Sequence, residues 1–213
     1  VRRIALCDRE PDRIQAIVDR EHFGAKFNPG DTYDSLDAIC DSDLDAIVLI
    51  TQPWLHAPQA HQILSSGKSV YSAVPILSVP DGDEILDWCD KLVNACQSTG
   101  KHYMLGETTY YHADVMYCRR RAAEGAFGHF VYAEGEYLHD VDSPSSNLRE
   151  VRRRRLDSQA GREWLAFAEK YPTGIVMAPM HYPTHATSGP ISVMNAHAAK
   201  VSAWGQRPHE PDE

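Results

Sequence analysis

The sequence lacks three features that would place the protein in a specialised class. Its five cysteines include no CxxC pair, which argues against a disulfide framework or structural zinc site and favours reduced thiols in the cytoplasm. Its apolar runs are no longer than one buried strand, whereas a membrane helix needs roughly 18 residues. Positive charge is also scarce: 21 Lys and Arg stand against 30 Asp and Glu, and the formal net charge of −9 disfavours nucleic acid and anionic membranes as partners.

What is present is an ordinary globular composition. The 213 residues are 43% apolar and 24% charged, enough for a core in one large domain or two small ones. The basic run at 152–155 is the one argument for an anionic partner, and we interpret it as a solvated surface segment.

Strand and helix patterns alternate over the first half of the chain. Strands are predicted at residues 3–7, 44–50, 69–72 and 102–105, and helices at 11–18, 33–40, 57–66 and 81–99. The continuous apolar run at 44–50 is typical of a strand covered on both faces. This alternation predicts an α/β fold with a doubly wound, Rossmann-like parallel sheet.

The pattern changes after residue 105, which predicts the start of an α+β second domain. Helices are predicted at 113–124 and 162–169 and strands at 129–138 and 200–204, with a loop rich in His, Pro and Thr before the last strand. We therefore divide the chain into a dinucleotide-binding domain, residues 1–120, and part of a substrate domain, residues 121–213. The first strand ends in an acidic residue, as the second strand of such folds does, so the usual first strand and its Gly-rich turn are expected to lie outside this sequence.

Residues at the carboxyl edge of the predicted sheet are candidates for cofactor binding, because ligands of open α/β sheets bind there. Asp8 is placed to accept hydrogen bonds from ribose hydroxyls, or alternatively to cap the following helix. Arg9 beside it could face a 2′-phosphate, which leaves NAD and NADP open. The loop after the strand at 44–50 contains Thr51, Gln52, Pro53 and His56. Without further context, this loop would be a plain strand-to-helix connection.

Several short segments together resemble the Gfo/Idh/MocA family of NAD(P)-dependent sugar and cyclitol oxidoreductases. The loop at 50–56 is similar to the family's Thr-Pro-rich loop with a histidine, and the segments at 67–70 and 73–75 are similar to its Gly-Lys-His-Val and Glu-Lys-Pro patterns. Asp8, the pair at 100–101 and the segment at 124–128 also match, in order along nearly the whole chain. The resemblance implies NAD or NADP as cofactor, cofactor contacts from Ala73 and Pro75, a carbohydrate-like substrate and a homo-oligomer.

Two positions depart from the family's Glu-Lys-Pro pattern, because Ala73 and Val74 stand in place of the acid and the lysine and only Pro75 is kept. Val74 stands where the family's dehydrogenases have a lysine that assists proton transfer at the hydroxyl being oxidised. Valine cannot titrate, so another group must move that proton.

The second half is similar to a sub-branch of the family that contains NAD-dependent α-N-acetylgalactosaminidase-like glycosidases. The segments that carry this similarity are 104–107, 134–140 and 182–185. In those enzymes a tightly held NAD oxidises the sugar transiently, elimination and water addition cleave the bond, and the hydride returns. The similarity implies that Glu107 lies near the nicotinamide ribose, and that Tyr137 and His185 are the acid/base groups with Tyr182 beside them. Histidine suits proton transfer at neutral pH, and tyrosine can share the role if a neighbouring cation lowers its pKa.

These residues also have ordinary structural interpretations. Tyr137 ends a predicted strand, where tyrosine packs well. Glu134 and Glu136 share one face of that strand and could form a glycosidase carboxylate pair, although a surface pair is more common. No metal site is predicted, because Pro183 between His181 and His185 argues against a helix that would pair the two imidazoles.

Three functions therefore remain open from the sequence. The first is an oxidoreductase that moves a hydride between NAD(P) and a sugar or sugar derivative, with His185 and Tyr137 in proton transfer. The alternative is a glycoside hydrolase that uses tightly bound NAD as an internal redox cofactor. A non-catalytic remnant is the third.

Overall fold

The computed structural model describes residues 1–20, 23, 27–138, 150, 157–170 and 182–204. The strands in these ranges are β1 (Ile4–Cys7), β2 (Phe27–Tyr33), β3 (Ala46–Leu49), β4 (Ser69–Ser72) and β5 (Tyr103–Leu105). The α-helices are α1 (Pro11–Val18), α2 (Leu36–Cys40), α3 (His56–Ser65), α4 (Gly82–Thr99), α5 (Ala113–Ala123), α6 (Gln159–Ala168) and α7 (Pro183–Met194). Short 3₁₀ helices at Pro53–Leu55 and Thr108–Tyr111 follow β3 and β5.

All strand pairings among these elements are parallel, which confirms the predicted α/β class. β1 pairs with β2, and β4 lies between β3 and β5. Arg3 at the start of β1 forms a salt bridge with Asp43, just before β3, and lies 3.6 Å from Asp31 in β2. The two groups of strands therefore adjoin at their amino ends.

The core lies on one face of the three-stranded sheet, under α3 and α4. α3 presents a fully buried stripe at helical spacing, consisting of Ala57, Ala60, Ile63 and Leu64. This stripe packs in one cluster with Leu49 and Val70 of the sheet and Leu92 and Ala95 of α4. The small alanines allow α3 to lie close to the strands.

The opposite face of β3 is exposed in the described part of the chain, so the prediction of burial on both faces was wrong. Val48 is 66% exposed, whereas its neighbour Leu49 is 3% exposed. Such alternation belongs to a strand that is covered on one face only. The apolar run reflected strand propensity rather than two-sided burial.

Two further predictions for individual elements were wrong. The helix predicted from Tyr33 begins at Leu36, after the Ser35 cap, and Tyr33 instead ends β2, a strand for which the sequence analysis predicted no element. The predicted His-, Pro- and Thr-rich loop contains α7, which begins at Pro183. Proline is favoured at the first helical position, where an amide hydrogen has no helical partner. Pro183 therefore starts a helix instead of opposing one, and His181 lies outside the described residues.

The strands predicted in the second half do not form ladders in the part of the chain that is described. Residues 129–138 and 200–204 pair with none of the five strands. Residues 131–138 are all exposed, although Gly135 lies against Ala186 and Pro190 of α7. The start of the second domain near residue 120 remains a prediction.

Gly106 marks a close approach at the end of β5. A Cβ at this position would lie 2.6 Å from Cζ and Oη of Tyr71 on β4. We expect Gly106→Ala to lower the free energy of unfolding by about 1–3 kcal/mol, as overpacking usually does. Denaturant titration measures the loss. Removing the ring in Gly106→Ala/Tyr71→Val should recover stability relative to Tyr71→Val alone, and an undiminished loss there would contradict the steric explanation.

Candidate active site

Glu107 and His185 meet where β5 ends and α7 begins. Nδ1 of His185 lies 2.8 Å from Oε1 of Glu107, and the two side chains are only 14% and 7% exposed. The same oxygen accepts a hydrogen bond from the backbone N–H of Thr109 at 2.9 Å. The backbone just after Glu107 therefore holds the carboxylate in place, and the carboxylate faces the imidazole. The sequence predicted a role for each residue but not this contact, which joins positions 78 residues apart.

The Glu107 carboxyl group is ionised at neutral pH in spite of its burial. Burial by itself raises the pKa of a carboxyl group. Here the side chains of Thr184 and His185 and the backbone N–H of Thr109 favour the charged form, and together they hold the pKa of Glu107 below its usual value. Thr184, which the sequence analysis did not single out, thus belongs to the site.

Two phenol rings contact the His185 imidazole. The ring centroid of Tyr137 lies 4.6 Å from that of His185, and the ring of Tyr182 stacks on it at 5.5 Å. Tyr137 is 47% exposed, so the cluster opens to solvent on its side. The three residues predicted as catalytic therefore lie together, and their catalytic roles remain predictions.

The surroundings of Tyr137 keep its phenol protonated at neutral pH. Desolvation and the neighbouring charges of Tyr182 and Glu107 raise the pKa of Tyr137. Tyr137 could act as a base only if a neighbouring cation lowered its pKa, and the pKa is instead raised. Tyr137 is accordingly suited to donate a hydrogen bond or a proton and His185 to accept one.

Gly135 lets the segment that carries Tyr137 approach α7. A Cβ at this position would overlap the carbonyl oxygen of Ala186 and lie 3.2 Å from Cγ of Pro190. Any other residue would push the segment away from His185. The flanking Glu134 and Glu136 are both exposed, and Glu134 accepts a hydrogen bond from the Tyr132 hydroxyl at 2.9 Å.

His56 braces the loops that follow β3 and β4. It is 2% exposed, with Nδ1 2.7 Å from the carbonyl oxygen of Pro75 and Nε2 3.2 Å from that of Thr51. The Ala73 N–H donates to the carbonyl of Leu49 at 2.9 Å, which continues the ladder one residue beyond β4. The side chain of His56 thus supports both loops from beneath.

The other predicted residues of these loops differ in accessibility. Thr51 is exposed and donates from its hydroxyl to Oε1 of Gln59 at 2.6 Å. Gln52 is half-buried and Pro53, which begins the 3₁₀ helix, is buried. Ala73 and Pro75 are half-buried, with a cis peptide bond between Val74 and Pro75.

Asp8 and Arg9 follow β1, and both are engaged. Oδ1 of half-buried Asp8 accepts a hydrogen bond from the backbone N–H of Glu10 at 2.9 Å, but the N-cap of α1 is Glu10 and has no side-chain cap, so the helix-capping alternative for Asp8 was wrong. The Arg9 guanidinium forms a two-pronged salt bridge with Glu163 on α6, at 2.8 and 2.9 Å. For Arg9 to bind a 2′-phosphate, its salt bridge with Glu163 would have to break.

Helix α6 connects the carboxyl ends of β1 and β3. Trp164 follows Glu163 directly, and its ring centroid lies 6.4 Å from that of Trp54, on which Phe167 stacks at 5.9 Å. Glu163 thus contacts the loop after β1, and the adjacent Trp164 contacts the loop after β3. The two loops therefore lie near the same helix, as they must if they belong to one sheet edge. We call this edge, with Asp8, Thr51 and Trp164, the α6 edge.

The α6 edge fits a dinucleotide in its chemistry. Nε1 of Trp164 is buried and has no acceptor among the residues that the structure describes. A hydrogen-bond donor without an acceptor suits the phosphate or ribose oxygens of such a molecule. Over the same described ranges, no helix is long and apolar enough to cross a bilayer, and no group of three His, Cys, Asp or Glu residues is arranged to hold a metal.

Comparisons with known proteins agree with the family resemblance. Residues 2–106 match the family model described as the oxidoreductase family with the NAD-binding Rossmann fold, Gfo/Idh/MocA. The chain is 27% identical over 198 residues to a glycosyl hydrolase family 109 protein of Shewanella sp. (strain W3-18-1), covering 88% of this chain and 37% of that protein. A protein of the same name from Shewanella pealeana is 26% identical over 193 residues, covering 88% and 38%. The chain thus spans less than two fifths of these curated relatives.

Two dehydrogenases are among the solved structures to which the chain is similar in part. Scyllo-inositol dehydrogenase from Lactobacillus casei, with bound NAD(H) and scyllo-inositol, superposes with a TM-score of 0.48 at 18% identity, covering 59% of this chain and 34% of that chain. The WlbA dehydrogenase from Bordetella pertussis, in complex with NADH and UDP-GlcNAcA, gives 0.48 at 24% identity, covering 59% and 33%. On the family match, residues 2–106 belong to the Gfo/Idh/MocA oxidoreductase family and carry its NAD-binding Rossmann fold.

Proposed function

We propose that this protein transfers a hydride between NAD(P) and a hydroxyl-bearing carbon of a sugar or sugar derivative. The observation that carries the proposal is the buried Glu107–His185 pair with the protonated phenol of Tyr137 against it. The pair lies two residues beyond β5, at the carboxyl edge of the sheet where ligands of this fold bind.

In this mechanism His185 removes the proton of the substrate hydroxyl. Val74 cannot do so, and histidine is the residue type best suited to proton transfer at neutral pH. Tyr137 donates a hydrogen bond to the same substrate oxygen. A bound nicotinamide cofactor would supply the acceptor for the hydride of the carbinol carbon.

The cofactor would lie along the α6 edge and the loops that follow β3 and β4. Its contacts in this proposal come from Asp8, Thr51, Gln52, Pro53, Ala73 and Pro75, with His56 as the brace. The Arg9–Glu163 salt bridge favours NAD, because a 2′-phosphate would have to compete with a carboxylate for the guanidinium. A cytoplasmic location and a homo-oligomer remain predictions.

The second candidate function is a glycoside hydrolase that uses NAD as an internal redox cofactor. It is favoured by the name of the curated relatives, glycosyl hydrolase family 109, over 88% of the chain. The protonated phenol of Tyr137 also suits it, because a departing glycosyl oxygen needs a proton donor.

Two assays on the same preparation distinguish these functions. The first measures NADH formed from NAD and a panel of free sugars and cyclitols, and the second measures aryl alcohol released from aryl glycosides. Net NADH supports the oxidoreductase, and aryl alcohol without net NADH supports the hydrolase. Inactivity in both assays, together with no NAD binding by calorimetry even in a longer chain that includes the expected Gly-rich turn, would contradict both functions and support a non-catalytic remnant.

Tyr137→Phe is expected to lower turnover roughly 2- to 10-fold, the loss of one hydrogen bond of about 0.5–1.5 kcal/mol. Because the pKa of Tyr137 is raised, the phenol keeps its proton through neutral pH, and the neutral limb of the pH–rate profile should not move. Tyr132→Phe, an exposed residue of the same segment, is the matched control. A loss as large as that of His185→Ala would show instead that the phenol is the main proton-transfer group.

A further inference from the structure

We propose that Glu107 is a positioning residue that keeps the ring proton of His185 on Nδ1, so that Nε2 is the atom that exchanges a proton with the substrate. The catalytic part of this inference rests on the proposed function. The part that concerns the proton on Nδ1 rests on the hydrogen-bond geometry around an ionised Glu107 and does not depend on the proposed function.

The hydrogen bond between Glu107 and His185 has only one sensible direction. The two atoms lie 2.8 Å apart in a largely buried contact. An ionised carboxylate can only accept hydrogen bonds, so Nδ1 must be the donor. The Thr109 N–H already donates to the same oxygen, which stabilises the charged form from a fixed backbone position.

The position of this proton decides which nitrogen reacts. A neutral imidazole carries one N–H, so a proton on Nδ1 leaves the lone pair on Nε2. In the other tautomer, lone pairs of Nδ1 and Oε1 would face each other at 2.8 Å. Turning the ring over would move Nδ1 away from Oε1 and break this hydrogen bond.

The proposed step balances with these roles. The substrate O–H bond breaks and its proton goes to Nε2 of His185. The C–H bond breaks with its electron pair, which leaves as a hydride and reduces NAD⁺ to NADH, and the carbinol carbon becomes a carbonyl. The imidazolium that forms keeps Nδ1–H on Glu107, whose negative charge stabilises it while the carboxylate itself stays ionised.

This assignment gives Glu107 a role different from the one implied by the family resemblance. A contact with the nicotinamide ribose would need a carboxylate that faces the cofactor. In the structure Oε1 of Glu107 is used by two donors, and Oε2 is buried without a hydrogen-bond partner among the described residues, so neither oxygen faces an open cleft. Glu107 therefore acts on the reaction through His185.

The test is ¹⁵N–¹H correlation NMR of the imidazole nitrogens in the full 213-residue chain labelled at histidine. The His185 signals are assigned by their loss in His185→Gln. We expect a pyrrole-type shift for Nδ1 and a pyridine-type shift for Nε2 in the unchanged protein. A proton on Nε2 instead would overturn the proposal without any variant of Glu107.

Variants then show whether Glu107 is the cause. Glu107→Met, which removes the acceptor at similar length, is expected to give a mixture of tautomers, and Glu107→Asp should keep part of the preference. Glu136→Gln, an exposed carboxylate beside Tyr137, should leave the His185 signals unchanged. Full retention of Nδ1–H in a folded Glu107→Met variant would refute the role of Glu107. Should that variant fail to fold, the same comparison is made with Glu107→Gln, in which a shift away from Nδ1–H is again expected.

Turnover separates this inference from the proposed function. In the active protein, Glu107→Gln is expected to lower kcat about 10- to 100-fold, as loss of a residue that orients a reactive histidine does, with KM nearly unchanged and partial rescue in Glu107→Asp. If the proton is on Nδ1 but the protein transfers no hydride, the assignment of Glu107 stands and the proposed function is refuted. If the protein transfers hydride but the proton is on Nε2, the proposed function stands and the assignment of Glu107 is refuted.

Discussion

In a complete, active parent enzyme, His185→Ala is expected to lower turnover by roughly 10²–10⁴, the usual contribution of a positioned general acid or base. NAD affinity should barely change, because the imidazole contacts Glu107, Tyr137 and Tyr182 rather than residues of the α6 edge. Initial rates at saturating NAD give the first quantity, and calorimetry gives the second.

The matched control is His197→Ala, an exposed histidine in the segment after α7. It should leave both turnover and NAD affinity as they were. If the His185→Ala variant had the normal turnover rate, His185 would be a structural residue. The base of the reaction would then lie outside this cluster.

Gly135→Ala is expected to have the second largest effect. Its Cβ would overlap the carbonyl oxygen of Ala186, so the segment with Tyr137 must move away from α7. Misplacing a reacting group by about 1 Å can cost around 10²-fold in rate, and we expect a loss of that order. Steady-state kinetics measures the rate, and denaturant titration measures the accompanying loss of stability, about 1–3 kcal/mol.

Gly82→Ala serves as the glycine control, because a Cβ there meets nothing within 4 Å. It lies at the start of α4, far along the chain from the cluster, and should leave the rate unchanged. A Gly135→Ala variant with normal turnover would show that the close approach of this segment to α7 is unnecessary for catalysis.

The elements that the sequence predicted well are those with local signals. α4 has an Asp81 cap, an apolar stripe and Gly100 in the left-handed conformation at its end, and it was predicted within one residue. β2 was missed because Asn28, Pro29 and Gly30 have turn chemistry, while pairing with β1 makes the segment a strand. Proline is tolerated there because β2 has only one partner in the described sheet.

The site shows the same division between local and distant information. Tyr137, Tyr182 and His185 were predicted because short segments around them resemble a family. The Glu107–His185 contact was not predicted, since no periodicity joins the end of β5 to the first turn of α7. The direction of the Tyr137 pKa shift also depends on its three-dimensional neighbours, and the sequence left it open.

The aromatic contact between α6 and the loop after β3 gives the protein a built-in optical reporter. The indoles of Trp54 and Trp164 stand 6.4 Å apart and tilted by 49°, a geometry in which their transitions couple and produce a paired signal in circular dichroism. Trp204 is 84% exposed and contributes the unstructured background of an indole in water. A ligand that separates α6 from the sheet edge would erase the coupled signal, whereas one that leaves them together would preserve it, so the signal reports, without any label, whether a bound dinucleotide moves α6.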